Sequence, residues 1–442
     1  MNISEMDILK KLETEVGSSR DAALEQFLNL TRRREEHDNT VLRESIAIIG
    51  RCAFEAPNVS PATRHLALRC INNVFCLSQP TRQLFVDSGF PEALIELMQS
   101  NDADDVSLSM RLMLLCSVGT TLDLTPHFEG GNLAQIINIF FQNISHHARD
   151  AFEPSLVPTL NLLSTLGANR KYESQTYRFL DSLPPILETL KKAVIPSPPL
   201  SPLVSLLISS LLAIPFDEEL PSSIVDKLVD ILDLALPTNL DNGEDADSTV
   251  SPLMALLLRT TSQPGTKLRL RARMIASDHD RTTVLGRGDS LPHRLIRLSA
   301  EITAPNLKQL AALLLFKLSD EDPRQLITNV GYGYGVGILQ STNTPFSPED
   351  LETGQMAMGR SNVNPITGQM VAAETAASQP DLAEMTQEEK EREAERLFVL
   401  FERLRGTGVV NIENPVARRS GHVEELHDDS SDDTNRVLLV FK

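Results

Sequence analysis

Apolar residues recur at helical spacing from the start of the chain to about position 340, and glycine or proline interrupts the pattern every few turns. This alternation constrains the fold more than any other feature, because a short helix with an apolar face must be covered by other helices. Strand-like alternation is almost absent. In Ser88-Gly-Phe-Pro-Glu-Ala-Leu-Ile-Glu-Leu-Met98 a glycine ends one helix and a proline opens the next. Variants of the passage begin at Phe90, Asn132, Leu183 and Leu220, giving steps of 42, 51 and 37 residues. Such an irregular period brackets the armadillo and HEAT repeats, whose two- or three-helix units bury their apolar faces by stacking. The predicted fold class is all-α, a right-handed armadillo/HEAT superhelix over residues 1–340. Its first helices are expected near Ile3–Val16, Asp21–Thr31 and Thr40–Phe54.

Composition agrees with helix packed on helix. There is no tryptophan and only 5% aromatic residues, so the core must be built from leucine, isoleucine, valine and alanine. Cys52, Cys70, Cys76 and Cys116 show no Cys-x-x-Cys spacing and read as reduced thiols of a cytoplasmic protein. The net charge of −19 argues against nucleic acid as the main partner, since phosphate binding needs a basic face. The first residues lack signal-peptide features, and no run approaches about 18 apolar residues, so a soluble monomer without a transmembrane segment is expected. No catalytic, cofactor or metal motif is recognisable. His146 and His147 are adjacent and point about 100° apart on a helix, which disfavours a metal pair.

The passage from Ser290 to Leu339 closes the repeat region. Pro305 and Pro323 each open a helix, and Gly331, Gly333, Gly335 and Gly337 are then expected to stop any further one. These glycines miss the spacing of a dinucleotide loop, so the stretch reads as an irregular cap. Lys267, Arg269, Arg271 and Arg273 form a basic patch whose counter-charge is an acidic part of the chain, a phosphate or an acidic partner. Asn239–Ser248 reads as an acidic surface loop, and residues 341–380 as a flexible linker. Residues 381–406 are expected to form an amphipathic helix with Leu397, Leu400, Phe401 and Leu404 in one stripe, and residues 407–442 a disordered acidic tail.

Polar side chains on the last helix of each repeat are the binding candidates, because that helix lines the concave face of a solenoid. Arg69, Asn72 and Asn73 fall on neighbouring turns of one such helix, Arg111 lies in the next repeat and Asn161 in the one after. The ladder could hold the backbone or terminus of a peptide, and the plainer alternative is capping between repeats.

Several short motifs in order carry a resemblance: Leu291-Pro-His-Arg-Leu-Ile-Arg-Leu298, Leu313-Leu-Leu-Phe-Lys-Leu318, Asn329-Val-Gly-Tyr-Gly-Tyr334 to Gly335, Asn364-Pro-Ile-Thr-Gly368, and Met385-Thr-Gln-Glu-Glu-Lys390. The order resembles the synembryn family, especially its fungal members. These are guanine nucleotide exchange factors and folding chaperones for the α subunits of heterotrimeric G proteins (Gα). The resemblance implies that the solenoid captures the C-terminal helix of Gα in its concave face and stabilises the nucleotide-free subunit. The ladder Arg69, Asn72, Asn73, Arg111 and Asn161 would then be the Gα groove, with no cofactor and no covalent chemistry. It also implies a cytoplasmic protein reaching the cell cortex through Gα. Ser347 and Ser430 are the candidate phosphorylation sites, although the acidic tract that family members carry before the Asn-Pro-Ile-Thr-Gly motif is missing. The second reading is an armadillo scaffold for acidic or phosphorylated peptides, centred on Lys267–Arg273 and without exchange activity.

Overall fold

A computed structural model describes residues 5–33, 39–55, 59–147, 154–236, 243–347 and 362–375, with single positions between 352 and 358 and at 392. The first helices are α1 (Glu5–Thr14), α2 (Ser18–Thr31), α3 (Asn39–Phe54), α4 (Pro61–Leu77), α5 (Pro80–Asp87) and α6 (Phe90–Leu97). Next come α7 (Ala103–Ser117), α8 (Thr125–Glu129), α9 (Asn132–His147), α10 (Leu156–Ala168), α11 (Leu183–Lys192), α12 (Pro202–Ala213) and α13 (Ser222–Ala235). The last are α14 (Gly243–Thr260), α15 (Pro264–Met274), α16 (Leu291–Leu298), α17 (Pro305–Leu318), α18 (Pro323–Val330) and α19 (Tyr332–Ser341). A 3₁₀ segment, Arg170–Ser182, joins α10 to α11.

Two layers result. Helices α2, α4, α7, α10, α12, α14 and α17 pack side by side in that order, and α9, α11, α13, α15 and α16 form a parallel row behind them. The layers are joined where α11 meets α12, α13 meets α14 and α16 meets α17, and α6 packs against α7 at the N-terminal end. This is the expected all-α solenoid. One continuous core runs from Ile8 to Leu339. The repeat starts read from the sequence open α6, α9 and α11 directly, and Leu220 lies just before α13. Local chemistry sets those starts. Ser60 caps α4 through the Thr63 N–H at 3.1 Å, Asp102 caps α7, and Gly89 turns the chain between α5 and α6 at φ 78°. At Gly167 the row is close-packed, since a Cβ there would lie 2.2 Å from the Ala213 Cβ across the α10–α12 contact.

Polar groups buried between neighbours tie the stack. Arg64 on α4 donates to both oxygens of Asp105 on α7, at 2.8 and 2.5 Å, and Ser100 donates to the same carboxylate at 3.0 Å. Burial alone would raise the Asp105 carboxyl pKa, but the hydrogen bonds from Arg64 and Ser100 outweigh it and hold the group below its ordinary 3.8. Asp247, expected in a surface loop, is instead buried on α14. Its two oxygens accept from the Leu307 N–H at 2.7 Å and the Asn306 amide at 2.8 Å, capping the first turn of α17.

Two expectations for the C-terminal end are corrected. The glycine run does not end helical structure, because α19 includes Gly333, Gly335 and Gly337 and buries Ile338 and Leu339 against α17 and α18. Tertiary cover outweighs the weak helix propensity of glycine. Residues 362–375, read as part of a flexible linker, form a strap on the last repeat. Met370 and Leu285 donate backbone N–H groups to Arg281 and Thr367 across the contact, at 2.8 and 3.0 Å. The buried Arg281 guanidinium donates to the carbonyls of Gly368 at 3.0 Å and Thr328 at 2.7 Å, joining strap and α18. The amphipathic helix expected at 381–406, with Leu397, Leu400, Phe401 and Leu404, lies outside the described residues, as does the tail containing Ser430.

Two measurements check these ties. Replacing Arg64 by Met leaves a buried carboxylate unpaired and should cost about 3 kcal/mol in urea unfolding at pH 7. Because the folded pKa of Asp105 is depressed, its contribution is present above the ordinary 3.8 and fades as pH falls through the lower folded value, so the gap between R64M and the parent should close there. Asp247→Ala strands the Leu307 N–H and should lower stability by about 1–3 kcal/mol, seen as a reduced thermal midpoint.

Candidate functional site

The five ladder residues fall on three consecutive helices of the first row. On α4, His65, Arg69, Asn72 and Cys76 recur at i, i+4, i+7 and i+11, which places them on one face. That face is opposite the fully buried Ala67, Leu68, Ile71 and Val74. On α7 the matching stripe is Leu108, Arg111, Leu115 and Val118, and on α10 it is Val157, Asn161 and Ser164. The sequence-derived ladder is therefore one continuous strip.

Its members differ in what they already bind. Arg69 reaches Asp104 on α7 at 3.2 Å in an exposed pair, worth little in water. Asn73 donates to the Thr31 hydroxyl at 3.2 Å, tying α4 to α2, and Asn161 donates to the Val157 carbonyl one turn back at 3.0 Å. Those two are partly engaged in holding the fold. Two groups are not. Arg111 is exposed and makes no ion pair or hydrogen bond with any described residue, and the Asn72 Oδ1 is buried with no donor. An exposed guanidinium with no partner among the described residues suits a ligand that brings an acceptor.

Sequence reasoning missed the apolar half of the strip. Leu77, Val118 and Val157 are 39%, 45% and 37% exposed, and Leu108, Leu114, Leu115, Leu203 and Leu206 are only partly covered. In sequence they are indistinguishable from core leucines and valines. The strip thus changes from charged at the start of α4 and α7 to apolar toward α12. His65 lies 3.2 Å from Asp102 and 3.1 Å from Asp105, a grouping compact enough for a cation. The Arg64 guanidinium already neutralises Asp105, so the chemistry of the cluster does not call for a metal. A separate cleft of about 580 Å³ opens between the start of α7 and α9, lined by Gln99, Asn101, Asn132 and Gln135 around Ile136 and Ile139. None of the ladder residues lines it.

The basic patch is paired within the chain. Lys267 and Arg271 share Asp320 at 2.8 and 2.6 Å, and hold its carboxyl below the usual range. Arg269 meets Asp226 at 2.7 Å and Arg273 meets Asp230 at 2.8 Å, both on α13. Of the counter-charges open to the sequence, the structure supplies an acidic part of the same chain. Ser347 is exposed beyond α19.

No described helix is long and apolar enough to cross a membrane. A designed armadillo repeat protein superposes at a TM-score of 0.37 and 11% identity, over 58% of this chain and 100% of its own, a likeness too loose to carry an argument. A synembryn-like chaperone of Schizosaccharomyces pombe is 31% identical over 225 residues, covering 47% of this chain and 41% of the relative. Chaperone Ric-8A of Xenopus tropicalis is 28% identical over 187 residues, covering 40% of this chain and 34% of the relative. The matches thus span well under half the length of these relatives. The family model described as guanine nucleotide exchange factor synembryn, Ric8, matches residues 23–421, nearly the whole chain, so the chain belongs to the synembryn family.

Proposed function

We propose that this protein binds the C-terminal helix of a G-protein α subunit along the α4–α7–α10 strip, and acts as its chaperone and guanine nucleotide exchange factor. Family membership supports the partner class. The observation that carries the choice of surface is the Arg111 guanidinium, exposed and without a partner among the described residues, beside half-exposed leucines and valines. An amphipathic helix offers the complement, with apolar side chains for Leu115, Val118 and Val157 and a polar end for Arg111. Exchange then follows from differential binding. A solenoid that holds the Gα tail better when the nucleotide site is open shifts Gα toward the empty form, so GDP leaves and GTP later displaces the complex. The same preference stabilises a Gα that is still folding, which is chaperone action by mass action. Neither step requires a catalytic acid, base, metal or cofactor. The protein works as a monomer in the cytoplasm, meeting the cell cortex only through Gα.

The scaffold reading, in which Lys267–Arg273 capture phosphopeptides, gains no support from a patch whose four cations already have aspartate partners. The test is complex formation with nucleotide-free Gα subunits of different classes, together with GTPγS uptake. Asn72→Ala and Arg111→Ala should each weaken the complex roughly tenfold, as expected for interface anchors, without moving the thermal midpoint. Arg269→Ala should leave it unchanged. Failure of the parent chain to bind any Gα, or equal binding by the strip variants, overturns the proposal.

A further inference from the structure

Helix α19 is weaker than its place in the core requires. It contains three glycines in ten residues, and each disfavours a helix by about 1 kcal/mol relative to alanine. Close packing demands only one. At Gly335 a Cβ would approach the Ile327 Cγ1 to 3.0 Å, whereas at Gly333 and Gly337 it would meet nothing within 4 Å. Two glycines therefore lower the stability of α19 where alanine would fit.

The strap supplies what the helix lacks. The Tyr332 N–H, at the first turn of α19, donates to the Pro365 carbonyl at 3.1 Å. Gly331 precedes that turn at φ 85°, with the Ile366 carbonyl 3.3 Å from where its Cβ would stand, so the strap occupies the space a side chain would need. The strap is itself a closed unit. Asn364 Oδ1 accepts from the N–H groups of Ile366 at 2.9 Å and Thr367 at 3.3 Å, and its backbone oxygen accepts from Gly368 at 2.8 Å. A satellite core of Ile327, Met358 and Val363, separate from the main core, joins strap to α18.

We infer that α19 is a conditional helix, folded while the Asn364–Gly368 strap is seated and released when the strap lifts. Release uncovers the apolar side of α17 and α18 that Ile338 and Leu339 cover. Arg281, which bonds both strap and α18, is the positioning residue of the latch. The inference does not depend on which ligand the α4–α7–α10 strip binds.

Hydrogen exchange read by mass spectrometry on the full chain tests it. Asn364→Ala should speed exchange across 332–341 at least roughly tenfold while α10 and α12 keep their rates. Adding Gly333→Ala and Gly337→Ala should restore protection of 332–341 by roughly tenfold or more, the factor expected for two such replacements, and leave 362–371 fast. Unchanged exchange of 332–341 in N364A overturns the coupling. In the parent background, G333A with G337A should slow 332–341 by the same factor, which keeps the test decisive should N364A fail to fold. No slowing there overturns the claim that α19 is marginal.

Discussion

Several of the described helices, α10, α14 and α17 among them, have apolar residues on more than one side, and no single neighbour covers them. Helix α10 shows the consequence. Leu160, Leu162, Leu163 and Leu166 are all essentially inaccessible, because α7 lies on one flank, α12 on the other and the 3₁₀ segment behind. Stability in such a stack is a sum over contacts between successive units, so each unit depends on the one before and the one after. Close approach follows from the same demand, as at Gly167 against Ala213, where a larger residue would push two repeats apart.

Polar groups are divided by that architecture into those that hold the stack and those that make no bond to another described residue. Arg64 with Asp105 and Asp247 with the start of α17 are buried ties between successive row helices. Arg259 belongs with them, its guanidinium lying 4.3 Å over the Phe216 ring and donating to the carbonyls that end α12. The basic stretch of α15 is likewise absorbed by aspartates of α13 and Asp320, which is how a chain of net charge −19 carries a cluster of cations without presenting a bare one. Arg111 falls outside this network, exposed and without a partner among the described residues.

The fold class and most helix starts were legible in the residues. Proline at the first turn and glycine before it act locally, so Phe90, Pro305 and Pro323 announce their helices without reference to anything distant. That Arg69 and Arg111 lie on an open face was legible for a similar reason, since Arg is rare on a covered one. Its apolar half was not, because a leucine looks the same whether its face is covered or half open. The glycine run and residues 362–375 misled for one shared physical reason. Each is held by contacts with residues distant in sequence, Tyr332 with Pro365 and Arg281 with Gly368, and sequence periodicity registers only local preference.

The amino-acid sequence by itself therefore determined that this is a stack of short helices, where most of them begin, and which family it belongs to, because these rest on local backbone chemistry and on the order of motifs. Tertiary structure alone decided which charges are already paired, which leucines face outward and whether a glycine-rich stretch is helical. Those outcomes depend on groups some 35 to 90 positions apart in the chain, such as Arg69 and Asp104, Arg273 and Asp230, or Arg281 and Gly368, meeting across a packed interface.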